Sequence, residues 1–140
     1  MRIEAKLLEL GGTLNDFKIA SQVTIAQGEN PTLLFQFVDI NNNNLRYIPS
    51  AGATVQVEIA RFPEVFASIS NVRSINDYSV RQAATNPFPL DTSIWSTPLS
   101  AVQTSTMMSS NIRVTLTEGA NVKVSLIIQA LVIIPSEGQP

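Results

Sequence analysis

The stretch NIRVTLTEGANVKVSLIIQALVII, residues 111–134, decides the fold. From Ile112 to Leu116 every second residue is apolar, with Arg113 and Thr115 between them. After Glu118-Gly119-Ala120-Asn121 the alternation resumes with Val122, Val124, Leu126 and Ile128, while Lys123 and Ser125 point the other way. Period two over this length marks a strand with one buried face. Two such runs around a short Gly/Asn turn make a hairpin. Matching the apolar faces pairs Glu118 with Val122 and leaves a three-residue loop, Gly119 to Asn121, ending in a left-handed Asn121. Beyond Ile127 the pattern changes. Ile127, Leu131 and Ile133 put apolar side chains on the face that Lys123 and Ser125 kept polar. A strand apolar on both faces is covered on both. The cover is either this chain, as for a central strand under a loop, or a neighbouring subunit. On the second reading Ile127, Leu131 and Ile133 form a candidate interface.

Working outward, the rest of the chain repeats the strand pattern. Arg2 to Leu8 alternates, with Ile3, Ala5 and Leu7 on one face, until Gly11-Gly12 breaks it. Asp16 to Ile25 reads as one strand with Phe17, Ile19, Val23 and Ile25 inward. Gln27 to Pro31 is a turn by composition. Thr32 to Val38 and Thr54 to Ala60 are strong strands, the second with Val55, Val57 and Ile59 inward. Asn41-Asn42-Asn43-Asn44 is a loop tip, because Asn side chains compete for their own backbone and tolerate positive φ. It is a candidate contact loop, with a solvated hairpin tip as the plainer reading.

Phe62 to Ile75 reads as a strand with an irregular lead-in, and Tyr78 to Ala84 as another strand. The prolines of Asn86-Pro87-Phe88-Pro89 end it, since neither can donate to a ladder. Asp91 to Trp95 reads as one helical turn capped by Asp91. Thr97-Pro98 suits a helix start, with Leu99 and Val102 sharing a face. The expected architecture is an all-β antiparallel β-sandwich, Ig-like or jelly-roll-like, of about eight strands with one short helical connection. It is expected as a single domain over residues 1–140, with residues 135–140 a short flexible tail.

Composition narrows the function. Charged residues are only 14% of 140, below the roughly 25% of an average soluble domain, and the net charge is −2. A weakly charged surface gives little repulsion between copies and favours association, so a homo-oligomer is expected. The nine Lys and Arg are scattered, which argues against nucleic acid as a partner. The longest mostly apolar run, Val124 to Ile134, is too short for a membrane helix and is interrupted by Ser125 and Gln129. Met1-Arg2-Ile3-Glu4 lacks the apolar run of a signal peptide, so synthesis in the cytoplasm is expected.

There is neither cysteine nor histidine. That removes thiol nucleophiles, the commonest general base and the usual zinc ligands. The carboxylates show no spaced catalytic pair. Asp39, Asn41 and Asn43 offer alternate oxygens that could hold Ca²⁺ weakly, but the glycine and terminal glutamate of an EF-hand loop are absent. Gly11-Gly12 is not a phosphate loop, since no Lys-Ser/Thr follows. Trp95, near Pro89 and Pro98, is either a sugar platform or a loop anchor, and the anchor is the commoner use. No catalytic residue, cofactor or metal is expected.

Four stretches carry a general resemblance. They are Thr32-Leu33-Leu34-Phe35-Gln36-Phe37, Gly52-Ala53-Thr54-Val55, Asp91-Thr92-Ser93-Ile94-Trp95 and Val114-Thr115-Leu116-Thr117-Glu118-Gly119. With them the chain resembles small all-β structural proteins of tailed bacteriophage virions, of the head-decoration, collar, tail, baseplate or fibre-attachment type. The resemblance implies a non-enzymatic virion subunit that assembles with itself and with other capsid or tail proteins. It carries over no catalytic residue. Two other classes stand beside it: a carbohydrate- or receptor-binding β-sandwich of a tail or fibre, and a hydrolase that works with carboxylates alone.

Overall fold

A computed structural model describes residues 1–10, 17–61 and 79–135. The Phe62–Ile75 segment, the Gly11-Gly12 break and the tail beyond Pro135 lie outside the described residues, as do the side chains of Leu10, Phe17 and Ile128.

Ten strands are described: β1 (Ile3–Leu10), β2 (Phe17–Ile19), β3 (Val23–Ala26), β4 (Thr32–Asp39), β5 (Leu45–Arg46), β6 (Thr54–Arg61), β7 (Val80–Ala83), β8 (Ile94–Pro98), β9 (Ser110–Glu118) and β10 (Asn121–Ile134). One short helix, α1 (Ala101–Ser105), connects β8 to β9, and a single 3₁₀ turn, Ile40–Asn42, follows β4. Strands take 58% of the described residues and helical turns 7%. The chain is a β-sandwich, with more strands than the eight expected. One sheet runs β2-β1-β4-β5, with β8 also on β4, and the other runs β3-β10-β9-β6-β7. In immunoglobulin lettering, β4 and β8 take the B and E places and β6, β9 and β10 the C, F and G places.

The two sheets bury one apolar cluster between them. Ile3, Ala5 and Leu7 of β1 and Leu33, Phe35 and Phe37 of β4 face Val55, Val57 and Ile59 of β6 and Ile112, Val114 and Leu116 of β9. These are the alternating residues of the sequence, and alternation is what lets one side of each strand leave water.

Three local expectations are corrected. The run expected over Asp16–Ile25 is two strands from Phe17 on, with Asp16 outside the described residues. Its first part pairs antiparallel with β1, and its second crosses to the other sheet and pairs parallel with β10. The Ala20 N–H donates to the Leu7 carbonyl at 2.8 Å just before the crossing. Alternation continues through Ser21-Gln22, so a change of sheet leaves no mark on the pattern. Asp91–Trp95 is not a helical turn. The Asp91 carboxylate accepts from both the backbone N–H and the hydroxyl of Ser93, and this side-chain-closed turn leads directly into β8. Thr97-Pro98 then ends β8 rather than starting a helix. Ser100 caps α1 instead, in a reciprocal capping box with Gln103, and Val102 faces solvent while Leu99 is buried.

The hairpin is the main correction. Glu118 pairs with Asn121 around the two-residue turn Gly119-Ala120. Gly119 takes the left-handed conformation (φ +59°), as a II′ turn requires of its first central residue. This register is one residue away from the expected one, and a one-residue slip exchanges the two faces of a strand. Lys123, Ser125 and Ile127 therefore stand opposite Leu116, Val114 and Ile112, on the core side. Val122, Val124 and Leu126 face outward, where Val122 is 58% exposed and Leu126 half-buried.

Candidate functional site

Ile127, Leu131 and Ile133 share a face, as expected, but that face is the core. Leu131 is 0% exposed, and Ile127 and Ile133 pack against the buried cluster. Their own chain covers Leu131 fully and Ile127 and Ile133 in part, so the apolar run on this face packs within the sandwich. A bulge keeps them inward: between the Ile127–Ile112 and Leu131–Ser110 pairs β10 carries extra residues, with Gln129 left-handed (φ +53°). The Gln129 N–H donates to Asn111 Oδ1 at 2.7 Å, and its carbonyl accepts from Gln22 Nε2.

Asn41 to Asn44 are exposed, as a loop tip should be. Asn43 and Asn44 adopt left-handed backbone (φ +53° and +57°), the conformation that their short polar side chains tolerate. Asp39 serves this loop as a cap. Its Oδ1 accepts from the N–H groups of Arg2 and Asn41, both at 3.1 Å. The carboxylate is thus committed to backbone donors, and among the described residues no group of three His, Cys, Asp or Glu is placed to hold a metal. Trp95 lies opposite Phe35 on β8 and packs against the core, an anchor rather than a platform.

The Asn loop stands at one end of the sandwich, together with the N-terminus, the turn before β6 and the β9–β10 turn. A cluster around the buried Glu118, which the sequence did not signal, holds this end together. The Glu118 carboxylate accepts from the Tyr47 hydroxyl (2.7 and 2.8 Å), the Ser50 N–H (2.8 Å) and the Lys123 ammonium (3.1 Å). Lys123 also sits 5.7 Å from the centre of the Tyr47 ring. Burial pushes the Glu118 carboxyl up, but these donors outweigh it and bring it down to about 2. The same bond, burial and the carboxylate charge together raise the Tyr47 hydroxyl.

A second tie joins this end to the β7–β8 connection. Arg46 Nη1 lies 2.9 Å from Asp91 Oδ2. Burial raises the Asp91 carboxyl, and the Ser93 hydroxyl, Arg46 and the Ser93 N–H more than reverse it. Leu45, Ile48 and Leu90 are exposed beside these ties, Leu90 completely. A fourth carboxylate, Glu58 on the outward face of β6, is buried between Arg113 (2.9 Å) and Arg81 (3.5 Å). The four carboxylates Asp39, Glu58, Asp91 and Glu118 therefore all serve the fold as acceptors.

No family model matches the chain, and neither the curated proteins nor the solved structures compared with it give a match. Among the described residues no helix is long and apolar enough to cross a membrane.

Proposed function

We propose that this chain is a non-enzymatic structural subunit of a bacteriophage virion, assembling with itself and with other virion proteins as a capsid decoration or a head or tail accessory component. One observation carries the reading. Carboxylates that could have done chemistry are spent on holding loops in place, and the loops so held present exposed Asn41–Asn44 with exposed Leu45, Ile48 and Leu90. Rigid loops with mixed amide and apolar side chains suit a fixed protein contact, because little entropy is lost when they are covered. The weakly charged surface and the resemblance to small virion proteins support the same reading. A sugar- or receptor-binding role has less support, since Trp95 is partly buried and packs against the core.

The test is fractionation of particles from cells that make the protein. On this reading the chain co-sediments with virions and is recovered in many copies per particle. Recovery only in the soluble fraction, with particles complete without it, would overturn the proposal.

A further inference from the structure

Strand β10 is paired unevenly. On one side β9 covers it from Asn121 to Ile127. On the other, β3 covers only Leu131 to Ile134. Among the described residues, the second side has no neighbour in its own sheet between Val122 and Leu126.

The register says which backbone groups this leaves free. Glu118 and Asn121 close a two-residue turn and exchange both hydrogen bonds. Pairs then alternate, so Lys123, Ser125 and Ile127 bond to β9. An independent bond fixes the same parity: the Ala84 N–H donates to the Val55 carbonyl, so Val55 points its backbone away from its β9 partner Leu116. It follows that the N–H and C=O groups of Val122, Val124 and Leu126 point to the open side.

The open edge lacks the usual devices that blunt such edges, namely proline, an outward lysine or a bulge within the run. Lys123 is engaged by Glu118, and the bulge at Gln129 comes only after the open run. Strand β1 runs alongside but belongs to the other sheet, and its Ala5 N–H is satisfied by the Ser125 hydroxyl instead of by β10 backbone. Clefts of about 280 and 420 Å³ flank that contact, both lined by residues of β1 and β10.

We propose that the Val122–Leu126 edge is an interface between two copies of this chain, which pair antiparallel through their β10 strands into one continuous sheet. A second copy is the occupant that the edge fits. The edge is self-complementary about a two-fold axis at Val124, with Val122 of each copy opposite Leu126 of the other. Its outward side chains are all apolar and uncharged, so nothing in it repels itself. The pairing adds backbone hydrogen bonds, as in recognition by strand addition. The contact is short and lies at the small end of the size range of specific interfaces, so the dimer is weak and concentration-dependent. The dimer does not depend on the virion reading.

Sedimentation across a concentration series, combined with amide hydrogen exchange, tests it. The expected result is a monomer–dimer equilibrium in which the amides of Val122, Val124 and Leu126 gain protection as the dimer forms. Val124→Pro removes an edge-facing N–H, and Val124→Lys places a charge on the edge. Both variants are expected to stay folded and to weaken dimerisation by about tenfold or more. A protein that stays monomeric at every concentration overturns the proposal, as does a dimer that both variants leave intact. Loss of folding in both variants also overturns it, because Val124 would then be core and not edge.

Discussion

The Ser125 hydroxyl accepts a hydrogen bond from the Ala5 N–H at 2.8 Å, joining two strands of different sheets that lie 120 residues apart. Both groups are buried. Ser125 looks like a solvent-facing residue in the sequence, and here it finishes the edge of β1. Ser125→Ala would leave a buried N–H without its acceptor, at a cost of about 1–3 kcal/mol. Chemical denaturation of the variant measures this. A surface serine would change stability by less than about 0.5 kcal/mol, and that result would place Ser125 outside.

Glu118 should make the protein acid-sensitive. Its folded carboxyl lies at about 2, below the ordinary 4.5. A group depressed on folding stabilises above its unfolded value, and the contribution is lost as pH falls through the folded one. The window is therefore from about 4.5 down to about 2, and the contribution is on the order of 3 kcal/mol. Denaturation midpoints at neutral pH and through this window should show wild type losing more stability than Glu118→Gln. Equal losses in both proteins would show that Glu118 is not the clasp.

Trp95 offers an opposite case. Its Nε1 is buried and has no hydrogen-bond partner among the described residues, an arrangement that costs stability. Trp95→Phe keeps the ring against the core and removes the orphan donor, so its stability should fall within about 1 kcal/mol of wild type. Trp95→Ala should cost about 3–5 kcal/mol. A Phe variant as unstable as the Ala variant would mean that the indole N–H is satisfied.

The faces of β10 can be checked directly. Leu131→Ala and Leu116→Ala should each cost about 2–5 kcal/mol, from lost transfer and a residual cavity. Val122→Ala should be close to neutral, since Val122 is mostly exposed. A large cost at Val122 with none at Leu131 would restore the register that the sequence alone suggests.

How much of this was legible depended on the range of the interactions. Val55, Val57, Ile59, Val114 and Leu116 declared themselves by alternation, which depends only on one side of a strand being dry. The hairpin was legible but its faces were not. Val122, Val124 and Leu126 are apolar and outward, while Lys123 and Ser125 are polar and inward, so composition pointed the wrong way. The polar residues are inward because each has a partner there, Glu118 across the turn with the distant Tyr47 ring for Lys123, and the distant Ala5 N–H for Ser125. No pattern within a strand announces such a partner. The Asn41–Asn44 tip was readable from local chemistry. The cluster of Tyr47, Ser50, Glu118 and Lys123 that supports it was not, since it joins residues brought together only by the sandwich.

Whether this chain works as an assembled structural subunit is decided most directly by the native mass of the protein taken from its source, together with an image of what it came from. The expected finding is a mass well above one chain and a particle on which the sandwich recurs in symmetric copies. A solitary monomer that belongs to no particle would contradict it.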